Sequence, residues 1–270
     1  MIEQGAARNG RENGMGLRGV IFDMGGTLLH YSPPGQDWEA MERLGAQGVY
    51  YYLRALDYEL PPEEDALGEA WPIAHDLWRS INQDDVSHLK LGHQVNELAR
   101  RWGVTDLEPE QLEALAEAYM KGIQTIVSPL EGAVETLEAL RERGLRIGLI
   151  SNTLWEGRYH RGDLDRWGLT PYLEVLVFSA DVEAWKPFRA VFQRALEALD
   201  LAPDEAIYVG DSLYFDVYGA QQAGLRGVWI EQERSDLPEG FEVTPDATIR
   251  RLPELIALVD RWRDGAAERA

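Results

Sequence analysis

Five short apolar runs, at residues 19–22, 146–150, 174–178, 206–209 and 227–230, constrain this chain more than anything else in it. None alternates polar with apolar. Each therefore reads as a strand buried on both faces, the situation of strands in a parallel sheet. Helical patterns lie between them. Residues 131–143 place Val134, Leu137 and Leu140 along one side and stop at Gly144, a C′ glycine. Residues 187–199 do the same with Phe188, Phe192, Ala195 and Leu199, and the helix after Ser212 ends at Gly224. Strand alternating with helix specifies a doubly wound α/β core around a parallel sheet. In such sheets ligands bind beyond the C-terminal ends of the strands, where Asp23, Ser151 and Asp211 stand.

The alternation breaks between residues 31 and 127. This stretch reads as helices at 36–57, 63–81, 86–102 and 109–127, separated by Pro33-Pro34, Pro61-Pro62 and residues 103–109. The tyrosines Tyr50, Tyr51 and Tyr52 and the tryptophans Trp38, Trp71, Trp78 and Trp102 read as packing residues of these helices. The expected organisation is a disordered segment 1–14, an α/β core of 15–30 and 128–264, an inserted helical domain of 31–127 and a tail of 265–270.

The first strand delivers one carboxylate into Asp23-Met24-Gly25-Gly26-Thr27-Leu28. Two glycines let backbone approach a ligand, and loop amides can cradle an anion. Three further blocks follow: Leu149-Ile150-Ser151-Asn152-Thr153, Trp185-Lys186-Pro187, and Tyr208-Val209-Gly210-Asp211-Ser212 with Asp216, Gly219-Ala220 and Ala223-Gly224. In kind, order and spacing these blocks resemble the haloacid dehalogenase superfamily of hydrolases, whose first motif reads Asp-x-Asp-Gly-Thr-Leu. The resemblance covers residues 17–28 and 129–259.

The resemblance implies a Rossmann-like core with a helical cap hinged near residues 29–35 and 127–131. It makes Asp23 the nucleophile that forms an aspartyl-phosphate, splitting one displacement into two. It gives Mg²⁺ the Asp23 and Asp211 carboxylates and the backbone carbonyl of Gly25, with Asp216 orienting a metal water or Lys186. Ser151 and the amides around Asn152 would hold the phosphoryl oxygens, together with Gly26 and Thr27. Lys186 would neutralise charge on the phosphoryl group and the nucleophile.

Gly25 departs from the pattern. The family's phosphatases carry there an aspartate that protonates the leaving oxygen and later activates water, and losing such a group typically costs ~10²–10⁴ in rate. Three explanations stay open: a water or cap residue stands in, the leaving group needs no proton, or the chain binds phosphoryl ligands without turnover. Dehalogenase and phosphonatase chemistries belong to the second. The phosphonatase version would use Lys90 as a Schiff base. His88 and His93, five apart, are poorly spaced for one helix face and do not read as a metal pair. Arg158 and Arg161 read as surface arginines ahead of contacts to an anionic substrate tail.

Composition narrows the classes. The 270 residues, 45% hydrophobic and 10% aromatic, are enough for a real core in one large or two modest domains. The absence of cysteine removes disulfides, thiolate metal sites and cysteine nucleophiles. A net charge of −21 repels nucleic acid and anionic membranes. No apolar run approaches the ~18–20 residues that cross a bilayer. The overall field does not draw in an anionic substrate, so local cations must, and Lys186 is one of only three lysines. The expected protein is a cytoplasmic monomer or homodimer acting on a small phosphorylated metabolite.

Overall fold

The computed structural model of the protein describes residues 16–31, 38–80, 90–232, 237–238 and 240–267. The segment 1–14, the Pro33-Pro34 break, the expected helix starts at 36 and 86, and His88 lie outside these residues. In chain order the elements are β1 (Gly19–Phe22), β2 (Leu29–His30), α1 (Trp38–Ala55), α2 (Glu63–Gly68), α3 (Ala70–Arg79), α4 (Leu91–Arg101), α5 (Pro109–Gln124), β3 (Ser128–Pro129), α6 (Ala133–Glu142), β4 (Arg146–Ser151), α7 (Gly157–Arg166), β5 (Val175–Phe178), α8 (Ser179–Val182), α9 (Arg189–Ala198), β6 (Ala206–Gly210), α10 (Gly219–Ala223), β7 (Arg226–Ile230), β8 (Ala247–Ile249) and α11 (Glu254–Ala267).

The expected parallel sheet is present, with strand order β5-β4-β1-β6-β7-β8 and every neighbouring pair parallel. β1 sits in the middle, with every residue buried. Its side chains alternate between two apolar layers: Val20 and Phe22 face one and Ile21 the other. The Ile21 layer is closed by Val191, Phe192 and Ala195 of α9 and by Ala220 and Ala223 of α10. The opposite layer takes Leu137 and Leu140 of α6 and Leu255 and Val259 of α11. The chain leaves β1 toward β4 on one side and returns to β6 on the other. The strand order therefore reverses at β1, the point where doubly wound sheets open a crevice.

Four elements depart from the sequence expectation. The stretch read as one helix at 63–81 is two, α2 and α3, meeting at Glu69. β8 is a sixth strand, too short at three residues to register as an apolar run. α11 runs to Ala267, into the segment read as a tail. The helix after Ser212 opens as a π-helical turn over Leu213–Tyr218 before α10 continues it. A π turn is wider than an α turn and recurs at functional sites.

Between β2 and β3 the described residues form five helices. On α1 the buried face repeats as Met41, Ala46, Val49, Tyr50 and Leu53, with one acidic residue, Glu42, on the same face. α5 starts with Pro109 at its first position, and Gln111 Oε1 accepts from the Glu108 amide at 2.9 Å, so the helix has a defined beginning. β2 and β3 pair antiparallel, Leu29 with Pro129 and His30 with Ser128, where the chain leaves for the helices and comes back. None of the described helices is long and apolar enough to cross a membrane.

Leu149 lies across β1 from Val209, opposite Phe22, and is fully buried. Leu149→Ala is expected to lower unfolding free energy by about 2–5 kcal/mol, because the strands around it cannot collapse into the space. Urea denaturation checks this through a lower midpoint at unchanged slope.

Candidate active site

The strand ends deliver the predicted residues to one place. The Asp23 amide donates to Val209 O at 2.9 Å, locking the first residue after β1 to β6. The loop then folds on itself. The amides of Thr27, Leu28 and Leu29 donate to Met24 O, and the Gly26 amide donates to Leu29 O at 2.8 Å. Gly26 has φ +78°, and a Cβ there would collide with the Asp211 carboxylate, so only glycine lets this turn approach the β6 loop.

Lys186 is 2% exposed, and its ammonium donates to Asp23 Oδ1 at 2.6 Å and Asp216 Oδ1 at 2.7 Å. Its backbone is held by Asn152: Oδ1 accepts from the Lys186 amide at 2.8 Å, and Nδ2 donates to the Lys186 carbonyl at 3.0 Å. Asp216 also uses its other oxygen, which accepts from the Ser212 amide at 2.9 Å. The π turn brings Asp216 back to this position, with its first turn fixed by the Phe215 amide donating to Ser212 Oγ.

One oxygen from each of Asp23, Asp211 and Asp216 lies within 4.8 Å of the others. Three carboxylates, Asp23 and Asp216 buried and Asp211 half-buried, face one ammonium, and the imbalance marks their chemistry. Burial, then the Asp23 and Asp216 charges, push the Asp211 carboxyl well above the usual carboxylate range. Burial raises Asp216 to about 6 even though Lys186 opposes it. Burial would lower the Lys186 ammonium, but Asp216 and Asp23 outweigh it and hold it charged. A site with this much unneutralised carboxylate and hard oxygen donors suits a divalent cation.

The structure places the other predicted residues unevenly. Ser151 ends β4, buried, and lines the cavity over this cluster, as does Gly25. Gly26 and Thr27 do not line it. The Gly26 amide is spent inside the loop, and Thr27 is fully buried with its hydroxyl unpartnered. Among the described residues the amides of Met24 and Gly25 make no backbone hydrogen bond, whereas those of Gly26 and Thr27 are spent on Leu29 O and Met24 O. The Asn152 side chain is occupied with the Lys186 backbone, so only the amides around it, as expected, could face a substrate. Lys90 pairs with Glu183 at 3.2 Å, is 41% exposed and does not line the cavity. Arg158 pairs with Glu113 and lies over the Tyr159 ring, and Arg161 lies over Phe178. Neither arginine lines the cavity.

The cavity is about 400 Å³, within the usual range for small-molecule pockets. Trp38, Trp71 and Trp78, expected as helix packing, line it instead; Trp102 does pack, its indole donating to Ala66 O. Two polar clusters in its wall escaped the sequence reading. In the first, Glu42 Oε2 accepts from Gln94 Nε2 at 2.6 Å and from the Tyr119 hydroxyl, joining α1, α4 and α5. Burial raises Glu42 to about 7. In the second, His160 sits between Trp155 and Phe178 rings, Nε2 2.7 Å from Thr153 Oγ1 and Nδ1 3.0 Å from the Tyr31 hydroxyl. Tyr31 donates to Asp163 Oδ2 at 3.2 Å, so His160 carries its proton on Nδ1 and accepts from Thr153. Each cluster left a faint signal: Glu42 is acidic on an apolar helix face, and His160 and Asp163 are spaced i, i+3 on α7.

Comparison with known proteins identifies the family. A profile of the haloacid dehalogenase-like hydrolases matches residues 73–230. The pyrimidine 5'-nucleotidase YjjG of Escherichia coli is 31% identical over 207 residues, 76% of this chain and 87% of that protein. The glyceraldehyde 3-phosphate phosphatase of Methanopyrus kandleri is 32% identical over 246 residues, 90% of this chain and 97% of that protein. The crystal structure of a HAD phosphatase from Thermococcus onnurineus matches at TM-score 0.60 and 27% identity, covering 92% of this chain and 100% of that one.

Burial lowers His160 to about 3. A free imidazole titrates near ~6.5, so acid protonates the unfolded chain first and stability falls as pH drops from ~6.5 toward 3. His160→Gln removes that contribution. The stability difference between wild type and His160→Gln should therefore shrink by about 2 kcal/mol between pH 7.5 and pH 5. Urea titrations at the two pH values measure it; an unchanged difference would mean the buried imidazole titrates normally.

Proposed function

The chain belongs to the haloacid dehalogenase-like hydrolases, and from that premise we propose that it hydrolyses a small phosphomonoester through an aspartyl-phosphate on Asp23, with Mg²⁺ as cofactor. The observation that carries the reading is the buried Lys186 ammonium between Asp23 and Asp216, with Asp211 alongside, at the strand ends. Asp23 is the nucleophile. Its Oδ1 is held by Lys186, while Oδ2 makes no hydrogen bond among the described residues. That oxygen attacks phosphorus as the ester P–O bond breaks and its electron pair leaves on the alcohol oxygen. Water then cleaves the acyl phosphate, releasing phosphate and restoring the Asp23 carboxylate. Lys186 offsets charge on the nucleophile and the phosphoryl group.

The donor set fits Mg²⁺. Asp23, Asp211 and the Gly25 carbonyl would hold the ion, and Asp216, occupied by Lys186 and the Ser212 amide, would orient the ammonium rather than the metal. When bound, the ion supplies positive charge to the phosphoryl oxygens. In this reading residues 31–127 form a cap over a core of 15–30 and 128–264, a view the β2–β3 pairing at the junction supports. The substrate is a small phosphorylated metabolite of the cytoplasm, and the protein works as a monomer or homodimer.

Gly25 favours a second reading, a phosphoryl-binding protein without turnover, and the local geometry makes the two separable. A Cβ at residue 25 would have Tyr31 Cδ2 at 3.7 Å and Trp38 Cη2 at 3.8 Å as its nearest neighbours, ordinary contacts, so a side chain can branch from this position without moving backbone.

With Mg²⁺, wild type is expected to release phosphate from phosphomonoesters, and EDTA is expected to stop it. Asp23→Asn should cut kcat by about 10⁴-fold or more while the protein stays folded; full activity in Asp23→Asn would refute the nucleophile. Gly25→Asp should raise kcat on alkyl phosphates by ~10²–10⁴, the worth of a positioned general acid. Activity that appears only in Gly25→Asp would support the non-catalytic reading of the natural chain.

A further inference from the structure

Two independent features of the cavity bear on what it accepts. The first is the missing carboxyl at residue 25, against which the rings of Tyr31 and Trp38 lie. With no side-chain acid at residue 25 to protonate it, the alcohol oxygen leaves best where it is stable as its anion. A phenol ionises near ~10, whereas an aliphatic alcohol lies closer to water at ~15.7, so only the aryl oxide departs easily unprotonated. Glu42 does not fill the gap: it lines the cavity one turn along α1 from Trp38, and its Oε2 is spent on Gln94 and Tyr119.

The second feature is the wall. Tyr31, Trp38, Trp71, Trp78, Trp155 and Phe215 line the cavity. Trp78 packs edge-on against Trp185, ring centroids 5.4 Å apart, so an indole stands next to the residue preceding Lys186. Such a wall offers ring faces and edges to a planar group beside the phosphoryl position. Its charge is one-sided. Among the described lining residues Lys186 is the sole lysine or arginine, and it is already paired twice. A second phosphate or a carboxylate on the substrate would be desolvated with no free lysine or arginine among the described lining residues to pair with it, a strong penalty. Glu42, 2% exposed and with no hydrogen bond on Oε1 among the described residues, faces the same space and would accept from an N–H or a cation.

Resting on the phosphatase reading above, we propose that the preferred substrate is an aryl phosphomonoester: a phosphate on a phenolic ring whose substituents are neutral or cationic, with no second anionic group. The ring lies among the tryptophans, Glu42 receives a donor on its far side, and the phenolate leaves with the electron pair of the broken P–O bond. Burial keeps Glu42 near its midpoint at neutral pH, so a cationic substituent would hold it ionised.

The test measures phosphate release with Mg²⁺ from phenyl, benzyl, 4-(aminomethyl)phenyl and 4-carboxyphenyl phosphates and from acetyl phosphate, for wild type, Glu42→Gln and Asp23→Asn. Benzyl phosphate keeps the ring but leaves as an aliphatic alcohol. The expected kcat/KM for phenyl over benzyl phosphate is about 100-fold or more. Aminomethyl should exceed carboxy by about tenfold or more, a ratio that falls toward one in Glu42→Gln. Asp23-dependent release from acetyl phosphate, with benzyl as good as phenyl or carboxy as good as aminomethyl, would overturn the substrate class and leave the phosphatase reading standing. An unchanged aminomethyl-to-carboxy ratio in Glu42→Gln would overturn the part assigned to Glu42. No Asp23-dependent release from any compound, acetyl phosphate included, would overturn both.

Discussion

Lys186 is the cation on which the active-site end of the sheet depends. It enters from the loop before α9, loses its hydration, and is balanced by Asp23 from the end of β1 and Asp216 from the turn after β6. Breaking one side of a buried pair leaves an uncompensated charge, which is why such a group fixes the positions of everything that touches it. Three chain segments distant in sequence are thereby held within hydrogen-bond reach. Asn152, from the loop after β4, adds a fourth by gripping the Lys186 backbone through both halves of its amide. The Asp23 carboxylate is therefore aimed by contacts that do not involve a substrate.

The same construction leaves the cluster with more negative than positive charge. Asp211 has no ammonium of its own, and its carboxyl is driven upward by burial and by its neighbours. Such an arrangement binds hard cations and rejects free anions, so an overall charge of −21 and a preference for phosphorylated compounds are compatible only if charge is supplied locally. The helices between β2 and β3 contribute nothing to that supply among their described residues. They contribute rings and one carboxylate. They also meet the sheet side directly: the Leu91 amide donates to Leu154 O at 2.7 Å, and Trp78 meets Trp185.

Most of the core was legible in the sequence because its signals are local. Buried parallel strands are continuous apolar runs, and a carboxylate or hydroxyl at the end of such a run has few places to go but the crevice. β8 was not legible, since three residues carry no periodicity. The Gly26 amide was misread for a related reason: composition shows that a loop can cradle an anion but not which amides its own turn consumes. The tryptophans illustrate the harder limit. Trp38, Trp71 and Trp78 sit on helix faces that look like ordinary packing surfaces, and only the assembled fold decides that these faces border a cavity while that of Trp102 does not. Glu42 and His160 left only faint signals because a buried acid or imidazole is recognised by its partners, and Gln94 and Tyr119 in one case and Tyr31 in the other are far away along the chain.

The short ladder of Leu29–His30 with Ser128–Pro129 has a consequence for the modularity of the chain. Because the outgoing and returning strands are already paired side by side, the helical stretch is a closed excursion whose two ends meet at one point of the sheet domain. Topologically it is a graft on a hairpin. A two-residue turn joining His30 to Ser128 would complete that hairpin with the register it has now, since antiparallel neighbours need no longer connection. The helices and their aromatic wall thus leave the sheet and rejoin it at one paired point, while packing back on it through Leu91 and Trp78.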